Sequence, residues 1–252
     1  MKELYIYGRK PIIAALRSGA TISKIYLTFG AKGEEIDLIY TLAKREKIPI
    51  TQYDNNKFQN LLRNNHLENQ NHQGVIALKQ IGQSLPLFQL LDEALINDKS
   101  PLIVMLDEIQ DPHNLGSIAR TAEAAGARGL IITDTDSSPI TPTAFKVSAG
   151  ALEFIPYTII KNIGQAFRTI KEKGFWIVAT DTNTQIEYTE ILSNKPILLI
   201  IGNEGKGIRP HIKKMADQIV RIPLYGKTES LNASVAAGII IFEIVKQNKK
   251  NI

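Results

Sequence analysis

The chain has 252 residues, 44% of them hydrophobic and 22% charged, an ordinary globular balance with ample material for a core. Its 30 Lys and Arg against 25 Asp and Glu give a formal charge of +5, a mild basic bias compatible with a nucleic-acid partner. It has no cysteine, which excludes disulfides, thiolate catalysis and cysteine-held zinc; the cytoplasm is the expected compartment.

At the N-terminus, Gly8-Arg9-Lys10-Pro11 interrupts a short apolar segment, so no signal peptide is expected. No apolar run approaches bilayer-crossing length, and no membrane partner is expected. The first helix is predicted over 11–18, with Pro11 in its first turn and Gly19 ending it. A strand over 24–28, a helix over 34–47, a strand over 50–53, a short helix over 55–63 and a strand over 75–79 follow. Together they read as a small α/β domain over 1–79. The polar tract 64–74 reads as a surface loop. With Arg9, Lys10, Arg17, Lys24, Lys57 and Arg63 it offers a surface suited to RNA, whose backbone rewards scattered cations.

Residues 80–101 are expected to hold an inter-domain linker (80–84) and an amphipathic helix (85–97), capped by Ser84 or entered through Pro86. A second domain then spans 102–252. Its strands are predicted over 102–107, 130–133, 155–160, 175–180, 197–201 and 218–222, with helices over 114–125, 143–151 and 163–173 between them. Unbroken apolar strands alternating with helices imply a parallel sheet covered on both faces. Asn114 is the expected N-cap of the helix over 114–125. Arg120 lies off the stripe of Leu115, Ile118, Ala119 and Ala122, so it should face away from the core, near Glu123. Asp107, Glu108, Asp111 and His113 could be drawn as a metal site, but strand ends and helix N-termini gather acids without one; no metal is expected.

Two loops late in the chain carry the functional signal. Gly202-Asn203-Glu204-Gly205-Lys206-Gly207 follows one apolar strand, and Pro223 to Leu231 follows the next before an apolar helix. Glycine lets backbone approach a ligand closely, and loops at the carboxyl ends of parallel strands are where open α/β sheets bind ligands. Neither a phosphate-binding P-loop nor a dinucleotide fingerprint fits. Arg221 stands where the P-loop's first glycine belongs, and the glycine order around Gly202 is wrong for the dinucleotide motif.

Three stretches carry a family resemblance: Asp111 to Ala122 (DPHNLGSIARTA), Ile201 to Gly207 (IGNEGKG), and Ile222-Pro223-Leu224 through Ser230-Leu231-Asn232-Ala233-Ser234-Val235-Ala236. In order and spacing they resemble the three motifs of the SpoU family of RNA ribose 2′-O-methyltransferases. The N-terminal domain, including Gly8-Arg9-Lys10-Pro11 and His72-Gln73-Gly74-Val75, is similar to that family's L30e-like substrate-binding domain. The resemblance implies a C-terminal α/β fold of the SPOUT kind with a deep trefoil knot, S-adenosyl-L-methionine as cofactor, and a homodimer. It also implies an RNA substrate, most similar to the branch acting on a guanosine of 23S rRNA. A tRNA substrate and a non-catalytic RNA-binding factor are the alternatives. By position it implies Gly202, Asn203, Gly205, Ile222, Leu224, Leu231 and Asn232 as cofactor-binding. Asn114, Arg120, Glu204, Ser230 and Asn232 are implied around the transferred methyl.

Overall fold

The computed structural model describes residues 3–17, 20–80, 84–192 and 194–250. The expected helix end at Ser18 and Gly19 and the linker residues Ile81, Gly82 and Gln83 lie outside them. The chain divides into two units, residues 1–81 and 82–252.

In the first unit, β2 (Ile22–Thr28) runs parallel to β3 (Ile50–Tyr53), and β4 (Val75–Gln80) is antiparallel to both β2 and β1 (Glu3–Tyr7). The order is β1-β4-β2-β3. Alternation along β2 sends its side chains to two cores. Ile25 and Leu27 meet α1 (Arg9–Arg17) and α2 (Glu34–Arg45) through Ile12, Leu16, Ile36 and Ile39. Tyr26 meets Phe58 and Leu62 of α3 (Asn55–Asn64). The α2 helix begins with Glu34, Glu35 and Asp37 and ends with Lys44 and Arg45, matching its dipole. The Asp54 carboxylate caps α3 by accepting from the Lys57 N–H at 2.8 Å. Strand β1 had no sequence expectation. The tract 64–74 is a loop, but a fastened one: Leu67 is buried, and the His72 ring lies 5.4 Å from that of Phe58.

The second unit is one six-stranded sheet of order β10-β8-β9-β5-β6-β7, with every pairing parallel. The strands are β5 (Leu102–Asp107), β6 (Gly129–Thr133), β7 (Tyr157–Ile160), β8 (Trp176–Thr180), β9 (Ile197–Gly202) and β10 (Gln218–Val220). All six residues of β5 are buried, as its unbroken apolar run requires. One face is covered by α4 (Leu87–Asn97) and α8 (Ile163–Glu172); Leu90, Leu91, Phe167 and Ile170 share a core with Ile103, Met105, Leu198 and Ile200. Helix α4 is entered through Pro86. Helices α5 (Pro112–Ala124) and α10 (Ala233–Lys250) pack together, and a Cβ on Gly238 would stand 3.7 Å from Thr121 Cγ2.

The helix expected over 143–151 is two helices, α6 (Pro142–Val147) and α7 (Ala151–Phe154). Ala149 and Gly150 between them take φ of 50° and 93°, a left-handed break that propensity does not signal at an alanine. The only helix between β9 and β10 is the four-residue α9 (Pro210–Lys213). From β5 the chain builds outward to β7, then returns to place β8 and β9 on the other side. The strand order therefore reverses beside β5, where open sheets form a crevice.

Candidate functional site

The carboxyl ends of β5 and β9 lie side by side, with Asp107 opposite Gly202 in register. Asp107 is fully buried, and its carboxylate accepts from the backbone N–H and the Nε of Arg209, at 3.0 and 2.9 Å. The same guanidinium reaches Glu108 at 3.2 Å. Glu108 holds a left-handed φ of 58°, and its carbonyl accepts from Asn203 Nδ2 at 2.9 Å. These two acids therefore anchor the loop after β9. Among the described residues no group of three or more His, Asp or Glu side chains is arranged to hold a metal ion.

The loop from Gly202 to Ile208 turns on itself. Asn203 and Gly207 exchange backbone hydrogen bonds of 3.2 and 2.9 Å, while Asn203 Oδ1 accepts from the N–H groups of Gly205 and Lys206. A Cβ on Gly202 would come within 2.5 Å of the Gly207 carbonyl carbon and Ile208 nitrogen, so only glycine fits. The turn delivers Glu204 to α5, where Asn114 Nδ2 donates to Glu204 Oε1. Asn114 Oδ1 in turn accepts from Asn232 Nδ2 at 3.0 Å.

Asn114 is not the N-cap that the sequence suggests. Asp111 takes that role, accepting from the His113 N–H at 2.9 Å, with Pro112 opening the helix. Asn114 is thereby moved into the first turns, nearly buried, with its amide free to bridge. Asn232 does cap its helix: Oδ1 accepts from the N–H groups of Ser234 and Val235, at 2.9 and 3.3 Å. Three segments far apart in the chain thus meet through Asn232, Asn114 and Glu204. Arg120 stands outside this chain of contacts. It is exposed and, among the described residues, forms no hydrogen bond or ion pair, Glu123 included.

Beside the three lies a cleft of about 400 Å³. Gly202, Asn203, Glu204, Gly205, Ile222, Leu224, Ser230 and Leu231 all line it; Asn114, Arg120 and Asn232 do not. Sequence reasoning missed one wall, Thr180 to Asn183 at the end of β8, together with Lys213. The signal was available: a polar run directly follows an apolar strand, as at the two loops that were identified. Asp181 in that wall pairs with Lys213 at 2.5 Å and accepts from the Asn183 N–H at 3.0 Å. Burial works to raise the Asp181 pKa, but the Lys213 and Asn183 hydrogen bonds and the Lys213 charge outweigh it and hold the carboxyl below its ordinary value.

The cleft's apolar walls (Ile222, Leu224, Leu231, Ala236, Ile240) face polar groups and glycine backbone, the mixture that binds a compact ligand with a polar head. A Cβ on Gly207, which lines it, would meet nothing within 4 Å. Arg221, in the same lining, keeps a buried Nε with no hydrogen-bond partner among the described residues.

Comparison with known proteins gives this geometry a family. The profile of the SpoU rRNA Methylase family matches residues 101–242, and one described as RNA 2'-O ribose methyltransferase substrate binding matches 5–80. YacO of Bacillus subtilis (strain 168), assigned by name to the TrmH family of tRNA/rRNA methyltransferases, is 33% identical over 96% of this chain and 95% of its own. Among solved structures, an AdoMet-bound rRNA methyltransferase from Sinorhizobium meliloti is 26% identical with a TM-score of 0.77, covering 97% of this chain and 87% of its own. A TrmH/SpoU tRNA modifying enzyme from A. aeolicus is 32% identical with a TM-score of 0.56, over 65% of this chain and 83% of its own.

Proposed function

Since the chain belongs to the SpoU rRNA Methylase family, we propose that it transfers a methyl group from S-adenosylmethionine to a ribose 2′-hydroxyl of RNA. The observation that carries this reading is the Asn232–Asn114–Glu204 contact chain beside a glycine-walled cleft. The 2′-oxygen as acceptor is supported by the substrate-binding profile over residues 5–80. The proposed substrate is a guanosine of 23S rRNA. Ribosomal RNA is supported by the S. meliloti rRNA enzyme, which aligns with 97% of the chain, against 65% for the tRNA-modifying one. The guanosine rests on the resemblance of the motifs alone.

The residues present fit the cofactor. The cleft is large enough for a folded nucleoside carrying an amino-acid arm, and an open glycine and an unpaired buried donor stand in its lining. In this reading the backbone around Gly202, Asn203, Gly205 and Ile222, with the side chains of Leu224 and Leu231, holds S-adenosylmethionine, and Asn232 fixes the end of that wall. When bound, the cofactor supplies an electrophilic methyl on a sulfonium, a good leaving group.

The chain's own task is then to present the ribose oxygen in line and draw off its proton. Glu204 Oε1 is occupied by Asn114, whereas Oε2 has no hydrogen-bond partner among the described residues and is assigned as the proton acceptor. Arg120 cannot serve as that base, because a guanidinium stays protonated far above neutral pH. Its free forked donors orient the nucleotide and stabilise charge developing on the attacking oxygen. Ser230, exposed at the rim of the cleft, completes the substrate side.

A knotted SPOUT topology for the second unit, an L30e-like first unit and a homodimer complete the proposal. Val235 and Phe242, each 51% exposed on α10, support a second copy packing there. Light scattering that read a monomer at micromolar concentration would count against that dimer.

The decisive experiment maps 2′-O-methyl sites in rRNA and tRNA from a strain lacking the protein, alongside calorimetric titration of the purified chain with S-adenosylmethionine. Loss of one 23S guanosine site is the expected result. Loss of a tRNA site instead would reassign the substrate. No lost site and no cofactor binding would leave a non-catalytic RNA binder.

A further inference from the structure

At one edge of the first unit, Phe29 stands 77% exposed. Single exposed apolar residues are common and by themselves mean little. Phe29 differs because its position is fixed. It sits with Gly30 at the centre of a tight turn, closed by the Ala31 N–H donating to the Thr28 carbonyl at 3.2 Å, and Gly30 takes the φ of 84° that such a turn asks of its second central residue. The Phe29 N–H donates to the Tyr53 carbonyl at 2.6 Å, tying the turn to the end of β3. A Cβ on Gly30 would find nothing within 4 Å. A large apolar side chain is thus held in the open, with no ring contact among the described residues.

Cations gather at the same edge. The Thr28 N–H donates to the Gly74 carbonyl at 3.0 Å, which brings the end of the 64–74 tract against this turn. Arg9 is bound to that tract in turn: its backbone N–H donates to Gln73 Oε1 at 3.0 Å, and its Nε to the Gln73 carbonyl at 3.3 Å. One terminal nitrogen of Arg9 lies 3.5 Å from where a Cβ on Gly33 would stand, so the guanidinium reaches the loop that carries Phe29. The two terminal nitrogens of Arg9, and the ammonium groups of exposed Lys10 and Lys32, have no hydrogen bond or ion pair among the described residues. Glu34 and Glu35 open α2 just after Lys32 in sequence, where the helix dipole favours acids.

We propose that Phe29, with Arg9, Lys10 and Lys32, forms a platform for an unpaired RNA nucleotide: the base lies on the Phe29 ring and the adjoining phosphate meets the cations. A fixed open aromatic beside uncommitted cations matches how single strands are held, since every base has a face to stack and every nucleotide a phosphate. A duplex offers no free base face, so the platform selects loops and bulges. The proposal rests on the reading of the chain as an RNA-modifying enzyme, and adds which part of the RNA the first unit grips.

The test titrates the full chain with two fluorescein-labelled probes, a single-stranded RNA dodecamer and an RNA duplex of equal length, over a series of salt concentrations. Phe29→Ala is expected to weaken single-strand binding roughly tenfold, leaving duplex binding and the salt slope unchanged. Phe29→Leu, which keeps the apolar surface but not the ring face, should behave like Phe29→Ala, and Phe29→Trp should bind as well as the native chain or better. Arg9→Gln should instead flatten the salt slope by about 0.7 for a single phosphate lost. No preference for the single strand in the native chain, or native affinity in Phe29→Ala or Phe29→Leu, would overturn the platform. S-adenosylmethionine titrated into the same variants keeps the two readings apart. Unchanged cofactor binding with lost single-strand binding supports both. Absent cofactor binding with the Phe29 effect intact removes the methyl-transfer reading and leaves the platform standing.

Discussion

Arg209 closes on Asp107 from 102 positions away, its backbone N–H and its guanidinium gripping one buried carboxylate. The Asp107 side chain is 0% exposed and that of Arg209 21%, so the pair is shielded from the screening that makes exposed pairs nearly worthless. Removing the Asp107 charge leaves the mostly buried Arg209 guanidinium with Glu108 as its remaining counter-charge. Asp107→Asn is expected to destabilise the second unit by about 3 kcal/mol, the low end for breaking a buried pair. The double variant Asp107→Asn with Arg209→Met should recover part of the loss. Urea midpoints check both. A shift no larger than that from removing the exposed Arg45–Glu46 pair would show the clamp to be idle.

Asn114 links a carboxylate to a helix cap, and its removal should be felt in chemistry more than in binding. It holds Glu204 without lining the cleft. Asn114→Ala is expected to lower kcat about 10- to 150-fold, the worth of one hydrogen bond to a charged group, with the dissociation constant for S-adenosylmethionine within a few-fold of native. Single-turnover methylation and calorimetry on the same preparation separate these quantities. A kcat like that of the native chain would remove Asn114 from the mechanism.

For Arg120 the expected outcome is sharper. It is exposed, unpaired among the described residues and off the cleft lining, so Arg120→Ala should abolish transfer while cofactor affinity stays within a few-fold. Arg120→Lys should restore little, because an ammonium offers a point charge where a planar fork is needed. A folded Arg120→Ala protein that no longer binds S-adenosylmethionine would place the residue on the cofactor side instead.

His72 makes the first unit sensitive to acid. Burial lowers its pKa below the ordinary 6.5, and Nδ1 accepts from the Gly74 N–H at 3.0 Å, a bond that only the neutral ring can accept. The folded state therefore binds fewer protons than the unfolded one. The stabilisation is fully present above pH 6.5 and is lost as pH falls through the depressed folded pKa. Denaturation midpoints of the first unit should fall on acidification through that window, and His72→Gln should flatten the dependence. A flat profile in the native chain would contradict the argument.

How much of this was legible in the sequence depended on how local the cause is. The β5 run and the glycine loop after β9 announce themselves, because burial on both faces and a turn without Cβ each leave a mark within a few residues. Strand β1 did not, since its only sheet partner, β4, lies at the far end of the unit and the strand itself is five residues abutting a glycine. The break between α6 and α7 was only half legible: Gly150, at φ 93°, is the residue type such a break favours, whereas Ala149, at φ 50°, carries no such signal. Asn114 was expected as a cap through local pattern, and that failed because Asp111-Pro112 starts the helix earlier; its place in the proposed site came from the resemblance and not from any local pattern. The β8 wall with Asp181 left a local mark, a polar run after an apolar strand, but its place beside the two glycine-bearing loops exists only once β8 is seated between β9 and β10.

The cleft takes its walls from the end of β8, the loops after β9 and β10, and the first half of α10. Asn232, which starts that last helix, also completes the contact chain to Glu204. A nascent chain still emerging from the ribosome therefore has no working pocket at any earlier stage of synthesis, however well its strands have formed. A premature stop between the end of β4 and α10 should yield a protein with an intact Phe29 edge and no place for a methyl donor. Such a fragment could occupy RNA but not modify it, so truncation would produce a competitor rather than a weak enzyme.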